Sequence, residues 1–252
     1  MLEAGEAFIR SLRLQIERID DYNRYPFCLP LFRQLSEIAL HPRVTFFVGE
    51  NGSGKSTLLE AIAVARGFNP EGGTFNFTFS SRPSHSELCQ YISLVKGTKR
   101  LRDGFFLRAE SFYNLATAIE DLDASGIGRS VIDSYGGRSL HEQSHGESFF
   151  AAIQNRFGGD GLYILDEPEA ALSPLRQMAL LTRLHQLVEQ NSQFIIATHS
   201  PILLAYPDAW IYQFAAGNPC LQQVAYEQTE HYMITRQFLN NYPKMLEILL
   251  KR

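Results

Sequence analysis

The stretch Gly49-Glu50-Asn51-Gly52-Ser53-Gly54-Lys55-Ser56-Thr57 constrains this chain more than any other. It satisfies G-x-x-x-x-G-K-[ST], and its neighbours suit it. Val44-Thr45-Phe46-Phe47-Val48 is a β-branched and aromatic run that predicts a central buried strand. After the loop, Leu58, Leu59, Ile62 and Ala65 fall on one face of a predicted helix, with Gly67 as its stop. A glycine-rich loop in that setting turns its backbone N–H groups inward as an anion nest, and the helix start near Gly54 adds its positive end. Glu50, Asn51, Gly52, Ser53, Gly54, Lys55, Ser56 and Thr57 are therefore the expected phosphate-binding set. Lys55 is placed to reach the β- and γ-phosphates of ATP, and the Ser56 hydroxyl to hold Mg²⁺. The chain should be an α/β protein built round this crevice.

Two more apolar runs end in polar side chains. Leu162-Tyr163-Ile164-Leu165 leads into Asp166-Glu167. In an α/β sheet the C-terminal strand ends face the ligand crevice. Asp166 is then predicted to hold Mg²⁺ through water, and Glu167 to polarise the attacking water as general base. Phe194-Ile195-Ile196-Ala197 leads into Thr198-His199-Ser200. The chain between has room for one helix and one strand, which predicts a parallel neighbour and brings His199 within reach of the γ-phosphate. Lys55, Glu167 and His199 are the candidate catalytic groups.

The remaining pattern is mixed. Ser11 to Ile19 alternates as a strand does, and a loop rich in Tyr, Pro and Asn follows through Pro30. Thr74 to Phe79, Tyr91 to Val95 and Phe105 to Leu107 predict strands that interrupt βα alternation with an antiparallel side lobe. Helices are predicted over Ser111 to Leu122, Ser144 to about Arg156 and Pro174 to Gln190. Asp123 to Gly137 is a Gly/Ser-rich connector expected to be mobile. Trp210 to Phe214 and Gln222 to Tyr226 are closing strands, and the last twenty residues form an amphipathic helix.

Composition removes several classes. The 23 basic and 27 acidic residues leave a net charge of −4, unlike a strongly basic nucleic-acid binder. The cysteines Cys28, Cys89 and Cys220 are scattered and odd in number, which fits a reducing compartment, the cytoplasm. No apolar run approaches the ~18 residues of a membrane span, and Met1 to Arg10 has no signal-peptide core, so direct membrane insertion is not expected.

Gln143-Ser144-His145-Gly146-Glu147-Ser148 precedes a predicted helix. Ser144 and Glu147 form a capping box, and a serine hydroxyl with free N–H groups at a helix start also binds phosphate. P-loop, Ser-x-Gly turn, Asp-Glu strand end and strand-end His, in that order, resemble the ATP-binding-cassette class of P-loop ATPases, including its RecF/SMC-like and AAA-labelled members. The runs Gly104-Phe105-Phe106-Leu107-Arg108-Ala109-Glu110-Ser111 and Leu165-Asp166-Glu167-Pro168-Glu169-Ala170-Ala171-Leu172-Ser173-Pro174 look like a bacterial group of small predicted ATPases.

The resemblance implies Mg²⁺-dependent ATP hydrolysis. It also implies a P-loop NTPase fold: a mainly parallel core sheet, the antiparallel β side lobe and a small helical lobe. The chain would be one domain over 1–252, with a core of 1–110 and 160–252 and a signature lobe of 111–159. Ser144, Gly146 and Glu147 would contact the γ-phosphate held by a second copy, giving a homodimer on ATP binding, with Ala171-Leu172-Ser173 at the seam. The signature departs from Leu-Ser-Gly-Gly-Gln, because Gln143, His145 and Glu147 replace the Leu, the first Gly and the final Gln. Arg108 and Glu110 stand where the class has its glutamine loop. Tyr22, Tyr25 and Phe27 are the aromatic candidates for stacking on adenine, Tyr25 foremost. The expected function is an ATP-driven dimer switch on the repair or defence side of the class, acting on a protein partner or nucleic acid. The alternatives are the ATP-binding subunit of a transporter and a non-enzymatic ATP-sensing module.

Overall fold

All five residues of the Val44–Val48 strand are buried, so both of its faces must be covered. The computed structural model, which describes residues 1–75, 86–124, 130–215 and 220–250, shows what covers them. The chain runs β1 (Ser11–Leu14), α1 (Pro30–Gln34), β2 (Glu37–Ala39), β3 (Val44–Val48), α2 (Lys55–Arg66), β4 (Ile92–Val95), β5 (Asp103–Arg108), α3 (Phe112–Ala124), α4 (His145–Arg156), β6 (Gly161–Asp166), α5 (Pro174–Glu189), β7 (Gln193–Ala197), α6 (Pro201–Leu204), β8 (Trp210–Phe214), β9 (Leu221–Val224) and α7 (Glu230–Leu249). Six strands make the main sheet in the order β5-β6-β7-β3-β8-β9. All neighbours are parallel except β8 and β9. A three-stranded antiparallel sheet, β2-β1-β4, lies apart from it.

Strand alternation sorts the core into two layers. Phe47, Ile164 and Ile195 share one cluster with Leu58, Leu59 and Ile62 of α2 and with Leu12, Ile38 and Ile92 of the small sheet. α2 is thus sandwiched between the two sheets. Val44, Phe46, Val48, Tyr163, Leu165 and Ile196 face the other way, onto Leu115 and Ile119 of α3, Phe149 and Ile153 of α4 and Leu180 and Leu184 of α5. The sheet is therefore doubly covered, and its parallel strand ends open on one edge, where the P-loop, Asp166 and His199 lie.

Several sequence expectations change. The Ser11–Ile19 strand stops at Leu14 and continues as a 3-10 turn, Ile16–Arg18, with Ile16 exposed. Registered pairing with β4 ends at Leu14↔Ile92 and with β2 at Arg13↔Glu37, followed only by single bonds from Leu14 N–H to the Ser36 carbonyl at 2.9 Å and from Gln15 N–H to the Tyr91 carbonyl at 2.8 Å. Ala65, placed on the buried face of α2, is exposed in its last turn, and Gly67 ends the helix with φ 98° as expected. The antiparallel lobe recruits β1 and β2 from the N-terminal region, whereas most of the expected 74–79 strand lies outside the described residues. The connector over 123–137 is partly anchored. Asp123 Oδ2 accepts from Ile132 N–H at 2.9 Å and from Ser130 Oγ at 3.0 Å, and Tyr135 is buried against Phe105. The C-terminal helix buries none of its residues and kinks at Asn241, next to the Pro243 ring that breaks the hydrogen-bond ladder.

Candidate functional site: the P-loop crevice

Gly54 caps α2 with φ 100°, a left-handed conformation that a Cβ would penalise, and so turns the loop sharply into the helix. Lys55 follows and is 3% exposed. Its Nζ donates to the Gly49 carbonyl at 2.7 Å and the Glu50 carbonyl at 2.9 Å, which arcs the loop round the ammonium. Burial lowers the Lys55 pKa, while Glu167, Asp166 and Glu169 pull it back up.

Ser56 Oγ donates to Asp166 Oδ1 at 3.0 Å, so the two expected Mg²⁺ ligands meet across α2 and β6. Asp166 ends β6 and is buried, and desolvation raises its pKa to about 6 despite Arg108 and Ser56. Arg108 sits opposite Asp166 in the β5–β6 register. Its Nε lies 3.4 Å from Asp166 Oδ2, and its Nη1 pairs with Glu60 Oε2 at 2.7 Å. A hydroxyl and a carboxylate beside a phosphate loop are the hard oxygen donors that Mg²⁺ prefers, with the phosphates and water completing its shell. The residues fit that ion. Among the described residues there is no cluster of three or more His, Cys, Asp or Glu that would indicate another metal.

Glu167 has φ 51° and ψ 52°, rare for a residue with a side chain, and its N–H donates to the Ala197 carbonyl at 2.9 Å. This turn aims the carboxylate into the crevice rather than along the strand. His199 Nε2 lies 3.3 Å from Glu167 Oε1, because β6 and β7 are parallel neighbours, as expected from sequence. A cavity of about 320 Å³ is lined by Asn51, Gly52, Gly54, Lys55, Ser56, Thr57, Glu110, Glu167 and Tyr25. The exposed Tyr25 donates to or accepts from Thr57 Oγ1 at 2.7 Å, whereas Phe27 is wholly buried and Tyr22 packs on the core. Of the three aromatic candidates, the structure brings only Tyr25 to this cavity. Glu50 and Ser53 line a second cavity of about 300 Å³ that shares Asn51 and Gly52 with the first.

Three groups were missed in the sequence. Glu60 lies on the expected helix with no motif to mark it, but it holds Arg108. Glu169 accepts from the His199 backbone N–H, and burial raises its pKa. The Asp-Glu-Pro-Glu run contains it and could have suggested it. His231, in the first turn of α7, places Nε2 2.9 Å from His199 Nδ1. It is distant in sequence and carries no motif.

Ser144, Gly146 and Glu147 lie at the start of α4 and do not line the P-loop cavity. The Glu147 carboxylate accepts from Ser144 N–H at 3.1 Å and from Ser144 Oγ at 2.7 Å, and Arg176 adds a contact at 3.4 Å. Ser144 and Glu147 are exposed. A Cβ on Gly146 would come within 2.5 Å of the Ala171 carbonyl, so a glycine there lets α4 touch the Pro168–Ala171 turn.

A parallel sheet with a phosphate loop after one strand, and carboxylates and a histidine at the ends of its neighbours, defines a P-loop nucleotide-binding protein. Comparisons agree. Residues 19–120 match the family model "AAA domain", and residues 103–205 match "AAA domain, putative AbiEii toxin, Type IV TA system". The chain is similar to a "DNA replication and repair protein RecF" of Colwellia psychrerythraea, 47% identical over 51 residues, which is 19% of this chain and 11% of that protein. It is also similar to an "Uncharacterized ABC transporter ATP-binding protein" of Haemophilus influenzae, 27% identical over 185 residues, covering 65% of this chain and 66% of that protein. Each match thus spans less than two thirds of the relative's own length. The "SMC head domain from Thermotoga maritima" overlays 86% of this chain and 98% of its own at 17% identity, with a TM-score of 0.44. The chain is thus similar, in parts of its length, to AAA-labelled domains and to RecF and ABC-type ATP-binding proteins.

Proposed function

We propose that this protein hydrolyses Mg-bound ATP in the P-loop crevice, and that a second copy completes the site. The observation that carries the reading is the approach of Lys55, Ser56, Asp166, Glu167 and His199, from three separate segments, to one another. Lys55 spends two of its three donors on carbonyls and keeps one for a β- or γ-phosphate oxygen. Ser56 and Asp166 would hold Mg²⁺, which when bound would neutralise and orient the phosphates. Arg108 compensates the buried Asp166 charge, and with Glu110 at the crevice rim it stands in for the glutamine loop. Glu167 accepts a proton from the attacking water, and His199 orients the γ-phosphate beside it. Tyr25 stacks on adenine at the mouth. Ser144, Gly146 and Glu147 of the partner copy close over the γ-phosphate, using the helix-start N–H groups of α4. Residues 1–252 act as one ATPase domain in the cytoplasm, as a switch that closes on ATP and reopens after hydrolysis, passing the motion to a protein partner or nucleic acid.

The test is Glu167→Gln. The variant should keep ATP affinity, lose turnover and accumulate as an ATP-bound dimer in light scattering. A variant that stays monomeric at saturating ATP refutes closure in trans, and one that still turns over refutes the general base. The Haemophilus influenzae relative's name supports a second reading, the ATP-binding subunit of a transporter. No described helix is long and apolar enough to cross a membrane, so on this reading the pore lies outside the described residues. Stimulation of the ATPase by DNA, and not by a co-purified permease, would favour the first reading.

A further inference from the structure

His199 uses both ring nitrogens. Nε2 lies 3.3 Å from Glu167 Oε1, and Nδ1 lies 2.9 Å from His231 Nε2. An ionised carboxylate only accepts, and a neutral imidazole offers one donor and one acceptor. With Glu167 ionised, the His199 proton belongs on Nε2. Its Nδ1 is then a bare lone pair that needs a donor, and His231 Nε2–H is the group in place. This tautomer is assigned from the hydrogen-bond pattern. The opposite arrangement, with His199 doubly protonated, moves the His231 proton to Nδ1. That atom is buried and has no hydrogen-bond partner among the described residues, so a donor there goes unsatisfied. The neighbourhood points the same way. Burial, His199 and the Lys55 ammonium all lower the His231 pKa, and only Glu50 opposes them.

His231 is also where α7 meets the crevice. The helix buries none of its residues along its length. Its start, however, is tied down. Thr229 is wholly buried and donates to the Tyr226 carbonyl at 2.8 Å, and Glu230 N–H donates to Gln213 Oε1 at 3.1 Å. Tyr226 in turn donates to the Pro201 carbonyl at 3.0 Å, directly after the His199 strand end. Placing His231 against His199 therefore requires that α7 be seated on this anchor.

We propose that His231 is a positioning residue for ATP hydrolysis: by donating from Nε2 to His199 Nδ1 it holds the His199 proton on Nε2, facing Glu167 and the γ-phosphate, and so makes turnover depend on the seating of α7. This rests on the ATPase reading above. The logic is that of a buried group that fixes the tautomer of a catalytic histidine, worth up to about 10⁴ in turnover where it has been removed.

The experiment uses the full chain with two variants. His231→Leu keeps bulk and removes the donor, whereas the amide nitrogen of His231→Gln can take the place of Nε2–H. His231→Leu should lower kcat at least about tenfold with KM within about twofold, and His231→Gln should stay within about threefold of the parent in kcat. Ring nitrogen-15 shifts in the unsubstituted, nucleotide-free protein should show both histidines protonated on Nε2. Equal losses in the two variants, an unaffected His231→Leu, or a His199 proton on Nδ1 each overturn the proposal. Should His231→Leu fail to fold, the Gln variant and the ring tautomers still decide it. An unsubstituted protein without any ATP turnover would instead refute the ATPase reading, and would do so with the Nε2–H tautomer intact.

Discussion

Asp166→Asn should make the nucleotide-free protein more stable while removing one ligand of the proposed Mg²⁺ site. Asp166 is 5% exposed, and desolvation lifts its pKa from 3.8 to about 6 even with Arg108 and Ser56 in contact. That gap of about two pH units, at ~1.4 kcal/mol each, is a native-state cost of ~3 kcal/mol at neutral pH. Asparagine removes the charge, keeps the size and still offers an oxygen to Ser56 Oγ. Arg108 keeps Glu60 at 2.7 Å, so it is not left alone. The sign follows from proton binding. Between about pH 4 and pH 6 the native state holds this proton and the unfolded state does not, so stability falls as pH rises through that window. Urea unfolding without nucleotide should therefore show the variant ahead by ~1–3 kcal/mol near pH 7.5, with the gap closing towards about pH 4. The same variant should lose the thermal stabilisation that Mg-bound ATP gives its parent. A variant less stable than the parent near neutral pH, or a gap that widens on acidification, would refute the account of a charge held against its solvation for the sake of a metal.

Other perturbations separate structure from assembly. Ser144→Arg, at an exposed position, should leave ATP binding to the single chain intact in a fluorescent-nucleotide titration and, on the proposed closure in trans, prevent dimerisation on ATP as read by light scattering. Gly146→Ala should cost about 1–3 kcal/mol by thermal melting, since its Cβ meets the Ala171 carbonyl at 2.5 Å; an unchanged melt would refute that contact. Asp103 accepts from Tyr163 Oη at 2.7 Å, Arg156 Nη1 at 2.9 Å and Gly158 N–H at 3.1 Å. Burial opposes its charge, but these donors prevail and hold the carboxyl below its ordinary range. Asp103→Ala should lose ~2–4 kcal/mol above about pH 4, with the difference shrinking on acidification as the parent's own carboxylate is protonated.

The seats of the site were legible because each sits at a change of local pattern. An apolar run that ends in Asp166-Glu167 or in Thr198-His199 announces a strand end, and a parallel sheet brings such ends to one edge. The same local logic failed where pairing was non-local. β2 is three residues long and β1 pairs with both β2 and β4, relations that no short window contains. The connector after α3 reads as loose by composition, yet Asp123 and the buried Tyr135 fasten part of it.

The sequence by itself determined the glycine-rich loop, the strand that feeds it and the helix that leaves it, and it pointed to Lys55, Ser56, Asp166, Glu167 and His199 as residues that meet there. These depend on residue type and short spacing, because glycines, a strand end and a helix start act within a few residues of themselves. Only the tertiary structure decided how those groups are held. It paired Arg108 with Asp166 and Glu60, turned Glu167 through a left-handed residue, chose Tyr25 over Phe27 for the crevice, and set His231 against His199. Such contacts join side chains far apart in the chain, and their energies come from burial and hydrogen-bond geometry that exist only once the sheet and helices have packed.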